Sequence, residues 1–203
     1  MAGYAAIAAT TNAVIRLLET AAATADWRDG TSPLSVDFEP AGADVLQNPP
    51  SGTPTVTLYL YRVTLSSVRR HIGPRVAPDG TRYRPSIPLD LFYLLTAWAT
   101  DPLLQQQLLG WCVTVLDETP VLPPALLNAY RGGERIFDSD ETVELVWQPL
   151  PLIDLSEIWE VAKTSEQPSA SYIARIVQLD SAVPLDEWPL VQTREFDYEE
   201  AGT

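Results

Sequence analysis

The sequence predicts an α+β fold, in which helices pack on a mixed, mostly antiparallel sheet. Its 203 residues, 46% of them hydrophobic, are enough for one well-filled core. We therefore expect a single α+β domain over residues 1–183, followed by an acidic C-terminal tail over residues 184–203. The predicted elements run helix, strands, helix, strand, helix, strand, which lacks the regular alternation of a parallel α/β fold.

The N-terminal half predicts one helix and several strands. Alanine-rich sequence predicts a helix from Tyr4 to Ala25, with aliphatic residues on one face at Ile7, Val14, Leu17 and Leu18. Alternation predicts a strand over Leu34 to Phe38, and four prolines predict a loop over residues 40–54. The alternating segment Thr55 to Leu65 predicts a central strand covered on both faces. One face carries Val56, Leu58, Leu60 and Arg62, and the other carries Thr57, Tyr59, Tyr61 and Val63.

The second half of the chain begins with a basic connection. Residues 66–85 predict a long connection or extended hairpin, and a buried strand follows over Leu89 to Ala97. Asp101 is a predicted N-cap for a helix that ends near Asp117 and turns Leu104, Leu108, Cys112 and Val115 to one face. The remaining predicted elements are a helical turn over Leu126 to Tyr130, a strand over Thr142 to Trp147, a helix opened by the capping pair Asp154 and Glu157, and a strand over Ala170 to Leu179.

Charge is unevenly distributed along the chain. The net charge of -14 argues against nucleic acid as a partner, because phosphate binding needs a basic face. Residues 134–203 hold sixteen acidic and four basic residues, whereas the segment from Arg62 to Arg84 holds six arginines and a single acid, Asp79. Two interpretations remain open, ordinary solvated charge or head-to-tail contact between subunits of a ring.

No motif in the sequence predicts catalysis or a cofactor. His71, the only histidine, lies beside Arg69 and Arg70 and is expected at the surface. One histidine and one cysteine are too few for a zinc site, and the acidic run Asp138, Asp140 and Glu141 lacks the glycine and distant glutamate of a calcium loop. Spacing singles out no carboxylate pair for glycoside hydrolysis. We expect no enzyme, no metal and no cofactor.

Aromatic residues and the lone cysteine are predicted to belong to the core. Cys112 stands in an apolar segment and is read as a small buried hydrophobe. Tyrosines and tryptophans can form a sugar platform, but most of them fall inside predicted elements, where core packing is the expected role. They are Tyr59, Tyr61, Tyr93, Trp98, Trp111, Trp147, Trp159 and Tyr172.

The N-terminal segment is expected to be neither a signal peptide nor a membrane span. It carries no basic leader, and Arg16 and Glu19 interrupt its apolar residues. No other segment reaches the roughly 18 consecutive apolar residues of a membrane helix. We therefore expect a protein that is made in the cytoplasm and has no membrane partner.

Four segments together resemble one family, the cap or tail terminator proteins of extracellular contractile injection systems, which are phage-tail-like particles of the antifeeding-prophage type. The segments are LYLYRVTLSSVRRH (58–71), RPSIPLDLFYLLTAWATDPLLQQQLLGWCVTVLDETPVL (84–122), DLSEIWEVAKTSEQPSASYIARIVQLDS (154–181) and, more weakly, VDFEP (36–40). Their order and spacing agree over most of the chain. Two features depart from the family: the SSVRRH segment is more basic, and no long C-terminal extension follows.

The resemblance implies a subunit that forms a ring, a hexamer, on the distal end of the tube and sheath. Such a ring stops polymerisation and anchors the last sheath layer, so the implied partners are other copies of the chain and the sheath and inner tube proteins. The particle assembles in the cytoplasm and is then released. We expect exposed strand edges and charged segments to form the interfaces, with these candidate residues: Arg62, Arg69, Arg70, Arg75, Arg82, Arg84, Asp186, Glu187, Glu195 and Asp197.

Two other hypotheses stay open. An adaptor or chaperone involved in loading an effector into the particle predicts binding to a toxin and unchanged particle length. An enzyme that uses a pair of carboxylates predicts an activity that a specific acidic pair controls. Deletion of the gene and imaging of the particles separates the first from a terminator.

Overall fold

The computed structural model describes residues 3–25, 35–68, 73–77, 79–133 and 135–185. Its helices are α1 (Ala6–Thr24), α2 (Ala43–Gln47), α3 (Pro102–Glu118), α4 (Pro124–Leu127) and α5 (Leu152–Ala162), with a 3-10 turn at Tyr130–Gly133. Its strands are β1 (Asp37–Ala41), β2 (Thr55–Leu65), β3 (Arg75–Val76), β4 (Arg82–Tyr83), β5 (Ile87–Trp98), β6 (Val121–Leu122), β7 (Val143–Trp147) and β8 (Ser169–Leu179).

Six strands form one sheet in the order β1-β2-β5-β8-β7-β6, and β3 pairs with β4 in a separate hairpin. Strand β1 runs parallel to β2, and all other neighbours in the sheet are antiparallel. The short helix α2 makes the connection that a parallel pair requires. The predicted α+β class and the mixed, mostly antiparallel sheet are confirmed.

Helices α1 and α3 cover one face of the sheet. This face presents Leu91, Tyr93 and Leu95 of β5, and all three are buried in the main core. Helix α1 packs closely because three of its buried residues are alanines, Ala6, Ala9 and Ala13, whose small side chains allow a short distance to the sheet. The hydroxyl groups of Tyr93 and Thr11 form a hydrogen bond of 2.9 Å, which satisfies the phenol in the core.

Helices α2 and α5 cover part of the other face. Leu94 and Trp98 of β5 form a second, smaller core there with Leu46, Trp159 and Ala162. The rings of Trp98 and Trp159 meet edge to face with centroids 5.9 Å apart. The helical cover on this face therefore lies over the end of the sheet where β2 begins and β5 ends.

Two bulges in the long strands change which side chains point to each face of the sheet. Between Leu60 and Arg62 the register of β2 shifts by one residue, so Arg62 pairs with Phe92. Arg62 and Val63 consequently exchange the faces that strict alternation predicts, which is a correction. A second bulge lies opposite Asp90, where Ile176 of β8 adopts a positive φ of 58° and donates its N–H to Asp90 Oδ1 at 3.1 Å.

Most predicted elements are confirmed within a few residues. The N-terminal helix, the two long strands β2 and β5, the helix capped by Asp101, and the strands β7 and β8 all lie where the sequence places them. Asp101 Oδ1 accepts a hydrogen bond from Leu103 N at 3.2 Å. Buried Cys112 is confirmed as a core residue. On α3, Leu108 and Cys112 are fully buried and the predicted Leu104 and Val115 pack against the same core, with Gln105 and Leu116 buried as well.

Several predictions near β1 and α5 are wrong. The first strand is displaced to Asp37–Ala41 because it pairs in parallel with Thr55 to Tyr59, and α2 forms where a loop is predicted. Helix α5 begins at Leu152 after an extended Pro151 with no side-chain cap, so Asp154 and Glu157 form no capping pair. Strand β2 is second from the edge, and both of its faces are buried only from Thr55 to Leu58.

Candidate assembly surfaces

The predicted basic hairpin exists and follows the end of β2. Strands β3 and β4 pair Arg75 with Tyr83 and Val76 with Arg82. In the turn, Gly80 has a positive φ of 85° and donates its N–H to the Ala77 carbonyl oxygen at 2.9 Å. Asp79 Oδ1 accepts from Thr81 N at 2.9 Å, and this hydrogen bond lowers the pKa of Asp79 below its usual value.

A buried carboxylate attaches the hairpin to the sheet. Asp180, just beyond β8, accepts a hydrogen bond from Ser86 Oγ at 2.6 Å and faces Arg75 Nε at 3.7 Å. The side chain of Asp180 is only 5% exposed. The Arg75 guanidinium also lies 4.5 Å from the centroid of the Tyr83 ring. Arg75 thus has an internal structural role.

The chain after β8 adds to the same hairpin. Leu185 N donates to the Arg82 carbonyl oxygen at 2.8 Å, Arg84 N donates to the Val183 carbonyl oxygen at 3.3 Å, and Pro184 bridges to Tyr83. The start of the predicted tail therefore lies against β4. The boundary between a domain at 1–183 and a tail at 184–203 stays a prediction.

The four described arginines among the candidates differ in what they contact. Arg82 and Arg84 are exposed on the hairpin, Arg62 lies over the Phe92 ring at 5.1 Å, and Arg75 is held by Asp180. The other candidates lie outside the described residues. They are Arg69, Arg70, Asp186, Glu187, Glu195 and Asp197, and His71 lies outside them as well.

An incompletely paired strand edge lies at the other side of the sheet. Strand β6 pairs only with Val143 and Glu144, and Leu145 N donates to the Pro120 carbonyl oxygen at 2.7 Å. No described residue continues the sheet beside Trp147. Its side chain stacks on Tyr172 at 5.5 Å but is 50% exposed, so the prediction that Trp147 belongs to the core is wrong. The ring sits at the end of a short edge strand, where no helix reaches it.

A polar cleft of about 450 Å³ lies next to this edge. Glu141 lines it and accepts from Asp138 N at 2.6 Å, and burial raises the pKa of the Glu141 carboxyl above its usual value. Arg175 faces Glu144 at 4.0 Å across β7 and β8. Within the described ranges, no group of three or more His, Cys, Asp or Glu side chains could hold a metal ion.

A third surface is a small apolar cleft between α2 and α5. It measures about 260 Å³, and its lining includes Tyr59, Tyr61, Leu46 and Val161. Sequence reasoning missed this cleft because it predicted a loop where α2 forms. The sequence of α5 does indicate a further apolar surface, because it has more apolar residues than one buried face of the helix can hold.

Two nucleophilic side chains of the core, Cys112 and Tyr93, are poorly placed for chemistry. Cys112 is fully buried on α3, and burial raises the pKa of its thiol to about 12. Burial likewise raises the pKa of the Tyr93 phenol well above its usual value. Neither group is poised to ionise near neutral pH, since an activated nucleophile needs a lowered pKa or an adjacent base.

Comparison with known proteins assigns the chain to a family. Residues 9–193 match the Pvc16 N-terminal domain. The chain belongs to that family. The match confirms the resemblance seen in the sequence segments, and it spans the hairpin, the sheet edge and the α2–α5 cleft.

Solved structures of other proteins share the fold of this chain. One is the sheath/tube terminator of the extracellular contractile injection system PVC in its extended state. It has a TM-score of 0.60 and 14% identity over 97% of this chain. Another is the tube-terminating cap of the anti-feeding prophage, with a TM-score of 0.56 and 13% identity over 93% of this chain. The chain spans 64% and 60% of the length of those two proteins.

No curated protein gives a significant match to this chain. None of the described helices is both long enough and apolar enough to cross a bilayer.

Proposed function

We propose that this protein is a structural, non-enzymatic terminator of a contractile injection particle. Copies of the chain form a ring, a hexamer, on the distal end of the tube and sheath, where the ring stops polymerisation and anchors the last sheath layer. One observation carries the proposal. Nearly the whole chain shares its fold with two terminators of such particles, and the family match covers residues 9–193.

The surfaces of the molecule fit this task. A stack of rings grows without limit unless the last ring matches the one below and offers nothing to the next. The basic hairpin and the acidic residues 134–203 supply unlike surfaces for neighbour contacts around a ring. Arg82, Arg84 and Arg62 are the described arginines assigned to such contacts, and Arg69, Arg70, Asp186, Glu187, Glu195 and Asp197 keep that proposed role.

The edge of β7 fits a sheath contact. Extended segments add to exposed sheet edges through main-chain hydrogen bonds, and their side chains fill pockets beside the edge. At Trp147 the edge offers backbone groups and a half-exposed ring, and the polar cleft lies at the opposite end of β7, beside Val143 and Glu144. An extended arm of a sheath subunit would add here as a further strand. The chain would assemble in the cytoplasm and leave the cell as part of the particle.

Deleting the gene and imaging the particles tests the proposal. A terminator predicts tubes and sheaths of uncontrolled length, with normal length restored when the gene is returned. Purified protein, alone and with tube and sheath proteins, should show oligomers by native mass spectrometry. Particles of normal length, together with one-to-one binding to an effector, would replace the proposal with the adaptor or chaperone hypothesis.

A further inference from the structure

The cleft between α2 and α5 has an apolar interior and an acidic wall. Its floor is formed by Tyr59 and Tyr61 of β2, and Asp154 and Glu157 of α5 line one side. At about 260 Å³ it is smaller than a typical small-molecule site, which measures about 300–1,000 Å³. Its size therefore suits a side chain or two of a protein partner.

The lip of the cleft is apolar and exposed. Val161, which lines it, is 78% exposed, and Ile153 on the same helix is 67% exposed. Large exposed apolar residues that cluster beside a groove are typical of interaction surfaces. Neither side chain belongs to the core, because α5 packs on the sheet through Trp159 and through Ala162 at the border of the cleft.

The surroundings of this cleft are acidic. Helix α5 carries Asp154, Glu157 and Glu160, and Lys163 is the one basic residue that follows closely. Residues 35–61, which include β1, α2 and the floor, hold three acids and no lysine or arginine. A basic partner would find favourable charge along α2 and α5 but not beyond Tyr61, where the exposed Arg62 lies over the Phe92 ring on the same face.

The basic hairpin presents the complementary features. Val76 is 61% exposed and pairs directly with Arg82, so the two side chains leave the same face of the hairpin. Arg84 lies two residues from Arg82 and is exposed as well. On the other face, Arg75 stacks on Tyr83 and turns toward Asp180. The outward face thus combines one aliphatic side chain with two guanidinium groups.

We propose that the hairpin of one copy seats in the α2–α5 cleft of the next copy around the ring. Val76 would enter the cleft above Tyr59 and Tyr61, while Arg82 and Arg84 would pair with Asp154 and Glu157. The arrangement rests on the ring of the proposed function and names the surfaces that close it. Guanidinium groups also have access to the faces of the tyrosine rings.

The two surfaces belong to different ends of one molecule. The cleft floor lies at the middle of β2, where Tyr59 pairs with Leu94 and Tyr61 lies in the bulge, whereas the hairpin follows the end of that strand at Leu65. Asp180 holds the hairpin at that far end, where β8 finishes. A contact between unlike surfaces of identical chains is heterologous, and it closes into a ring when its rotation allows.

A charge exchange tests the proposal in the full chain. Glu157→Arg and Arg82→Glu should each raise the protein concentration at half-assembly about tenfold, measured by sedimentation of the purified chain with and without tube ends. The double variant should return to within about twofold of wild type, because it restores the pair with reversed sign. Glu19→Arg with Glu118→Arg, exposed acids on α1 and α3, is the matched control and should change little.

Disulfide trapping gives a second readout that does not depend on affinity. Val76→Cys together with Val161→Cys should yield a ladder of linked copies on oxidation, and Val76→Cys with the equally exposed Leu103→Cys of α3 should not. The native Cys112 is buried and adds no background.

The outcomes separate the two proposals. The wild-type chain could form rings while the double variant shows no rescue and the cysteine pair gives no specific ladder. That result would overturn the hairpin–cleft contact and would not contradict the proposed terminator function. A wild-type chain that stays monomeric even with tube and sheath would overturn the ring itself and this contact with it.

Discussion

Helices α1 and α5 pack on opposite faces of one sheet but differ in how many of their apolar side chains are buried. Seven of the nineteen residues of α1 are buried, and they fit against the sheet. Only Trp159 and Ala162 of α5 are buried, while Leu152, Ile153 and Val161 are 67–78% exposed. Burial accounts for the sequence of α1. The outer residues of α5 have no such explanation within the fold, which is why we assign them to a partner.

The largest expected effect tests the inner side of α5. Trp159→Ala should lower the free energy of unfolding by roughly 3–5 kcal/mol, because a fully buried ring and its edge contact with Trp98 are lost. Urea unfolding followed by circular dichroism measures the change. Val161→Ala, two residues away on the outer side, should stay within about 0.5 kcal/mol. Similar losses in both variants would remove the contrast between the two sides of the helix.

A second test asks whether the hairpin depends on its buried anchor. Asp180→Ala should cost about 1–3 kcal/mol, because the partly buried Arg75 loses its ion-pair partner and the Ser86 hydroxyl loses its acceptor. Hydrogen exchange of the Gly80 and Ala77 amides should accelerate more than that of β5. The control is Asp138→Ala in the exposed pair with Arg135, where a loss of about 0–1 kcal/mol is expected. Unchanged exchange in the hairpin would contradict the anchor.

The bulge in β8 offers a comparison within the sheet itself. Asp90→Ala should destabilise the protein by about 1–3 kcal/mol, because the partly buried N–H of Ile176 loses the Asp90 carboxylate as its acceptor while the residue keeps a positive φ. Asp90→Asn retains an acceptor oxygen and should lose clearly less. Equal losses for the alanine and asparagine variants would show that the hydrogen bond does not hold the bulge.

The smallest effect on stability is expected in the basic segment. Arg69→Glu with Arg70→Glu should change the free energy of unfolding by no more than about 0.5 kcal/mol, since the sequence predicts both in a connection between strands, where surface charges contribute little to stability. Particle assembly should nevertheless fail or slow, which electron microscopy of particles made with the variant can measure. Normal particles would remove these two arginines from the interface.

Patterning along the chain predicted the long elements. The alternation of Thr55 to Leu65, the apolar segment that became β5 and the Asp101-Pro102 helix start are local signals, and each leads to its element without help from distant residues. The same signals missed α2, because its five residues are held by packing of Leu46 against Trp98 and Trp159. They also misplaced the faces of Arg62 and Val63, because a bulge depends on the partner strand.

The sequence by itself determined the fold class, the main helices and strands and the existence of a basic segment, because these follow from composition and short-range periodicity, and its matched segments carried the family resemblance. Only the tertiary structure decided that Arg75 turns inward to Asp180, that Val76 and Arg82 share an outward face, and that α2 and α5 enclose a cleft over Tyr59 and Tyr61. Those properties depend on which residues, far apart in the chain, meet in space, and strand pairing and helix packing fix that only when the whole chain folds.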